Sequence, residues 1–185
     1  QALVLVNHGG ATGADVIAVI RSTGQSLLDF HQPSRAATWL KAPAQRDADA
    51  LFARAVAQEG EESPDALATY TEALAVNPLH ADAHVNLGRL LQEAGAGQAA
   101  IEQYRAALDA DSRHATAAFN LGAALEDLGR RAEAIAAYLQ AVKIDDTFAD
   151  AHYNLSRLYE KGGKKQAAIR HLSRYKALTR NAERG

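Results

Sequence analysis

The side chains of this 185-residue chain with chemistry to offer are its histidines, its paired carboxylates and one glycine-rich stretch. His80 and His84 stand four apart, which puts two imidazoles on one helix face at a spacing suited to zinc. The chain has no cysteine, so thiolate ligands, thiol nucleophiles and disulfides are all excluded. His84 and His152 share the context Ala-Asp-Ala-His, and His80 and His114 share another, as residues of helix packing or corners do. The carboxylate pairs Glu61-Glu62, Glu126-Asp127 and Asp145-Asp146 fall in turns or at helix ends, where they solvate the chain or favour a helix dipole. Gly9-Gly10-Ala11-Thr12-Gly13 follows an apolar run, yet it matches neither G-x-G-x-x-G nor G-K-[ST], and the β-branched residues behind it read as a strand. No nucleophile, base and orienting group recur together. The expectation is therefore no catalytic residue, no metal and no cofactor, and the chain is not read as an enzyme.

What must position side chains is set by composition first. With 48% hydrophobic residues and a net charge of −2, the chain suits one globular domain, or one plus a small appendage. No run approaches the roughly 18 apolar residues of a membrane span, and residues 1–6 lack a basic leader. A soluble, cytoplasmic protein is expected, with no membrane partner. The absence of methionine suggests a processed chain or a piece of a longer one. Near-neutrality hides an asymmetry: residues 1–156 carry 11 Lys and Arg against 20 Asp and Glu, and residues 157–185 carry 9 against 2. An acidic body repels a phosphate backbone, so nucleic acid is not expected as its partner. The basic end reads as a solvating cap, with contact to an acidic partner or DNA as its second use.

The organisation is a repeat of 34 residues. Ala-Asp-Ala-His-Val-Asn-Leu-Gly at 81–88, Ala-Thr-Ala-Ala-Phe-Asn-Leu-Gly at 115–122 and Ala-Asp-Ala-His-Tyr-Asn-Leu-Ser at 149–156 each begin 34 residues apart. Ala100, Ala134 and Ala168, then Tyr104, Tyr138 and Leu172, keep the register, and Ala66, Tyr70, Ala73 and Asn77-Pro78 extend it upstream. Four units result, 47–80, 81–114, 115–148 and 149–182, with 183–185 as a tail. Each reads as two amphipathic helices around a tight turn, with Gly95, Gly129 and Gly163 ending the first helix. Gly88, Gly122 and Ser156 are expected to face Ala100, Ala134 and Ala168, letting two backbones approach. Residues 1–46 stand outside the repeat. Residues 16–20 and 26–30 read as two strands around Ser22-Thr23-Gly24, residues 3–6 as a third, and residues 31–46 as a linker turning helical near Asp47.

A small residue at position 8, Ala at 20, an aromatic at 24, Ala at 27 and the closing Asn77-Pro78 resemble the tetratricopeptide repeat over about three quarters of the chain. The departures are His84, Ala118 and His152 where the family often has Trp, Arg54 at position 8 of the first unit, and Ser112 and Asp146 in place of the later prolines. The resemblance implies an all-α fold, a right-handed superhelix (α-solenoid) of four helix-turn-helix repeats behind a short β-rich lead. It also implies a concave groove lined by the first helix of each unit. Carried onto this chain, position 6 gives Phe52, Asn86, Asn120 and Asn154, a ladder of three amides that both donate and accept and can hold an extended peptide backbone. Position 5 gives an apolar strip of Leu51, Val85, Phe119 and Tyr153, position 9 gives Arg89 and Arg157, two cations for a carboxylate, and positions 12 and 13 give Gln58, Glu59, Gln92, Glu93, Glu126, Asp127, Glu160 and Lys161, which make one rim acidic. Family members that clamp C-terminal carboxylates carry Lys and Arg where this chain has Thr116 with Asn120 and Asp150 with Asn154, which argues against that use. The function implied is a scaffold binding a peptide or protein segment in the groove.

The stretch Thr23-Gly24-Gln25-Ser26-Leu27-Leu28-Asp29-Phe30, then Trp39 and the repeats, also resembles the C-terminal part of bacterial MerR-like regulators that carry such repeats. That resemblance implies an alternative, the partner-sensing or assembly arm of a transcription regulator whose DNA-binding head is not in this chain.

Overall fold

The computed structural model describes residues 4–6, 18–20, 43–61 and 63–182, in two units divided after residue 42. In the first, β1 (Val4–Val6) pairs antiparallel with β2 (Ala18–Ile20), Val4 opposite Ile20. Six residues of strand do not amount to the β-rich lead expected there, because a ribbon this short buries no core of its own. The expected strand at 26–30 lies outside the described residues.

The second unit is all-α. Its helices are α1 (Pro43–Gly60), α2 (Ala66–Val76), α3 (Ala81–Glu93), α4 (Gly97–Ala110), α5 (Ala115–Asp127), α6 (Arg131–Ile144), α7 (Ala149–Lys161) and α8 (Lys165–Ala182). They pack as four hairpins, α1 with α2 through α7 with α8, and the second helix of each hairpin leans on the first of the next. Helix α1 starts at Pro43 rather than near Asp47, a proline being suited to a first turn. The periodicity accounts for the rest: on α5 the stripe of Ala118, Leu121, Gly122 and Leu125 is buried, as are Ala134, Tyr138 and Ala141 of α6.

The corners are made by specific residues. Gly95, Gly129 and Gly163 have φ of 79°, 71° and 71°, and the next N–H reaches back across the turn, Ala96 to Leu91 O and Arg130 to Leu125 O, both at 2.8 Å. At the opposite corners the histidines act. The Nδ1 atoms of His80 and His114 accept the N–H of Ala83 and Ala117 at 3.3 and 3.1 Å, capping α3 and α5. His84 and His152 each place Nε2 on the carbonyl of residue 78 or 146, at 3.0 and 3.1 Å, and Nδ1 against Gln103 or His171. Each histidine in the helical unit thus serves a corner or a helix contact. Burial, then His152 and Arg170 nearby, hold His171 below its usual pKa.

The small residues at position 8 face something larger than alanine. A Cβ on Gly88 would lie 2.7 Å from the Tyr104 ring, and one on Gly122 2.7 Å from Tyr138. The tyrosine ring of the second helix therefore lies flush on the backbone of the first, with Ala100 and Ala134 fully buried beside it. In the fourth hairpin Leu172 replaces the ring, and Ser156 fits, its hydroxyl donating to Tyr153 O at 2.7 Å.

The first hairpin follows the same plan with its first helix displaced by one residue. Phe52 lies 5.8 Å from Tyr70 and stacks at 4.7 Å on His80, as Phe119 lies 5.6 Å from Tyr138 and stacks at 4.9 Å on Phe148. Asp49 meets His80 as Asp82 meets His114. Phe52 thus stands at position 5, not 6, and the close-packed position 8 is Ala55, fully buried. Arg54 points outward to an ion pair with Glu72 at 2.6 Å, so it does not replace the small residue. The cause is the turn: Ser63 Oγ accepts the Asp65 N–H at 3.3 Å with Pro64 beside it, and this corner reaches Ala66 in one residue fewer than the glycine corners need.

Two outcomes follow in thermal or urea unfolding. Ala55→Leu overpacks a filled site and costs about 1–3 kcal/mol, whereas Arg54→Ala, losing an exposed pair, changes stability by about 0.5 kcal/mol or less. Gly122→Ala destabilises by on the order of 1 kcal/mol, the clash exceeding the gain in helix propensity. In a Tyr138→Leu background, which reproduces the Ser156 and Leu172 pairing, that cost shrinks or reverses.

Candidate functional site

The first helices α1, α3, α5 and α7 form one face, and the polar groups on it are organised by the tyrosines behind them. At the junction of the first and second hairpins, Asn86 Nδ2 donates to the Tyr70 hydroxyl at 2.9 Å, and Arg89 bridges Glu59 of the preceding unit and Glu93 of its own helix, the latter at 2.6 Å. The third and fourth hairpins repeat the arrangement. The Tyr138 hydroxyl donates to Glu126 Oε2 at 3.4 Å with Asn154 as its other partner, and Arg157 pairs with Glu126 at 2.7 Å. Each is a latch between consecutive units, partly buried, with each ion pair contributing on the order of 1 kcal/mol. Despite burial, the Glu93 and Glu59 contacts raise the Arg89 pKa.

The middle junction differs. Here Tyr104 donates to Gln92 Oε1 at 3.1 Å, Gln92 Nε2 donates to Asp127 Oδ2 at 2.7 Å, and position 9 is Ala123. No latch arginine crosses it. Asn120 is bonded to none of the described side chains, and it lies with Arg89, Gln92, Glu93, Tyr104, Ala123 and Asp127 around an open depression of about 400 Å3.

The residues singled out from sequence therefore divide. Asn86, Arg89, Asn154 and Arg157 lie on the face and are engaged between units, Arg157 through Nη2 while its buried Nε has no partner, so the arginines are not loose cations awaiting a carboxylate. Val85 is buried at 6% exposure and Phe119 is stacked against Phe148, because position 5 points toward the neighbouring corner; the apolar strip is largely interior. Tyr153 is the exception, 46% exposed with its ring 5.2 Å from Tyr175. Asn120 remains available. Sequence reading missed the tyrosine hydroxyls, Glu59 and Glu126 as latch acceptors, and Gln92 with Asp127 at the middle junction. One signal was present: Glu126 precedes Arg157 by 31 residues and Glu59 precedes Arg89 by 30, just under one repeat.

Residues 57–113 and 150–178 match the tetratricopeptide repeat family, and residues 127–163 match a TPR repeat family. The chain carries tetratricopeptide repeats. No curated protein matches it by sequence. Among solved structures it is similar to MamA at 21% identity, with a TM-score of 0.69 over 75% of this chain and 81% of that one. It is also similar to MamA of Desulfovibrio magneticus RS-1 at 21% identity, TM-score 0.64, covering 82% and 88%, and to PilF of Pseudomonas aeruginosa at 26% identity, TM-score 0.66, covering 76% and 64%. A chain of tetratricopeptide repeats is a scaffold for contacts between proteins. No described helix is long and apolar enough to cross a membrane, and among the described residues no three His, Asp or Glu side chains converge as a metal site.

The tetratricopeptide-repeat tyrosines carry a pH signature. Burial first, then the Glu93 and Asp127 charges against the opposing Arg89, push Tyr104 up to about 12 from 10.0. Burial also raises Tyr70 and Tyr138, with Glu59 and Glu126 adding to the effect. The folded state holds these protons after the unfolded chain has released them, so stability is full below about pH 10 and falls as pH rises toward about 12. Melting curves across that window are expected to show the loss, with a shallower slope for Tyr104→Phe.

Proposed function

We propose that this scaffold binds an extended protein segment on the face of its first helices, centred where the second and third repeats meet. The observation that carries the reading is Asn120: its amide, bonded to no described side chain, borders the open depression with Ala123 and Asp127. One amide offers both a donor and an acceptor, enough to pair with the backbone of an extended segment without reading its side chains. The latches on either side, through Arg89 and Arg157, hold neighbouring helices in register and so preform the surface, which lowers the ordering cost of binding. Tyr153, exposed further along the face, supplies an aromatic contact. The alternative of a regulator's sensing arm rests on the repeats together with residues 23–30 and Trp39, and the latter lie outside the described residues.

Variants separate the bound amide from the structural ones. Asn120→Ala is expected to reduce co-purification of the partner at least about tenfold, the scale of a lost hydrogen-bond pair at a desolvated contact, with an unchanged melting temperature. Asn86→Ala removes one of the two partners of the buried Tyr70 hydroxyl, Glu59 being the other, and is expected to lower the melting temperature instead. Wild-type capture by Asn120→Ala rules the reading out.

A further inference from the structure

The first and third junctions between repeats are built alike, the second departs from them at positions 9 and 12, with Gln92 bonded to Asp127 across it, and that departure points to the chemistry of the bound segment. At the first and third, position 9 of the following unit is an arginine whose guanidinium lies across the junction against an acid on the first helix of the preceding unit, Arg89 on Glu59 and Arg157 on Glu126. At the second, position 9 is Ala123, and the space beside it is the depression of about 400 Å3. Its rim is acidic. Glu93 and the exposed Asp127 border it, and its one bordering cation, Arg89, is already shared between Glu59 and Glu93. Counting Arg89 against its two acids and adding Asp127, the local balance is negative, so a carboxylate entering here meets repulsion and a cation meets attraction.

Resting on the reading of this face as a segment-binding surface, we infer that the depression at Ala123 receives an arginine or lysine side chain of the bound segment. The side chain takes the place that Arg89 and Arg157 occupy at the neighbouring junctions. Its charge is met by Asp127 and Glu93, with Asn120 holding the adjacent backbone. Arginine suits the site better than lysine, because a planar guanidinium can bond two carboxylates at once, as Arg89 does. The partner is thus a protein with an exposed basic segment, not one presenting an acidic tail.

The test is selection from a phage-displayed random peptide library on the full chain, with affinities of the selected peptides measured on Ala123→Arg, Asp127→Asn and Asn120→Ala. Expected is enrichment of arginine or lysine at one fixed position. Affinity should fall at least about tenfold in Ala123→Arg, which fills the site from within, and in Asp127→Asn. Peptides without a basic residue, or basic ones whose affinity neither variant changes, overturn the inference while leaving the binding face intact, provided Asn120→Ala still weakens them. Failure to select any peptide, or indifference to Asn120→Ala, removes the binding face and the inference together. Circular dichroism reports whether Ala123→Arg folds; if it does not, Asp127→Asn, at an exposed position, decides alone.

Discussion

A tyrosine on the second helix of each of the first three hairpins carries two constraints at once, and the architecture follows from them. Its ring lies against the backbone of the first helix, so closely at Gly88 and Gly122 that no Cβ fits. Its hydroxyl emerges at the junction with the next unit, where it must find partners because a buried phenol without them costs on the order of 1–3 kcal/mol. The ring thereby fixes the spacing within a hairpin. The hydroxyl brings to one place an amide of the next unit or an acid or amide of its own, Glu59 and Asn86 for Tyr70, Gln92 for Tyr104, Glu126 and Asn154 for Tyr138. Packing and polar order are consequences of one residue type at one position.

The polar face of the solenoid then has two kinds of junction. Where a glutamate follows at position 12 and an arginine at position 9 of the next unit, the tyrosine hydroxyl joins an ion pair and the junction closes on itself. Where these are Gln92 and Ala123, the same hydroxyl is satisfied by a neutral amide, and Asp127, one oxygen of which accepts from Gln92, borders the open depression with Asn120. A surface whose charges are mostly consumed internally has little left for a partner, and what is left is local. On the proposed reading, binding concentrates at the junction without a latch arginine, in keeping with the general finding that few residues carry most of an interface's energy.

Much of this was legible in the amino-acid sequence, and the exceptions have physical causes. The period of 34, the left-handed glycines and the buried stripes are local, repeated three times or more, and each repetition reinforces the others. The first helix stands one residue out of the register that Ala66, Tyr70 and Ala73 keep, because the chain runs from the close-packed Ala55 to Ala66 in one residue fewer than from Gly88 to Ala100. The spacing of Phe52, Ala55 and Glu59 matches that of Phe119, Gly122 and Glu126 and would have shown the shift. The groove residues were harder. Asn86, Asn120 and Asn154 are identical in sequence and differ only in what the neighbouring unit offers, a distinction that depends on residues some thirty positions away. Likewise Arg89 and Arg157 look like free cations until their acids are brought beside them by folding.

The claim on which the account turns is that three equivalent asparagines do different work. Hydrogen exchange of their side-chain amides, resolved by NMR in the unliganded protein, tests it most directly. Slow exchange at Asn86 and Asn154 and fast exchange at Asn120 is the result this account predicts; equal protection at all three, or protection greatest at Asn120, would contradict it.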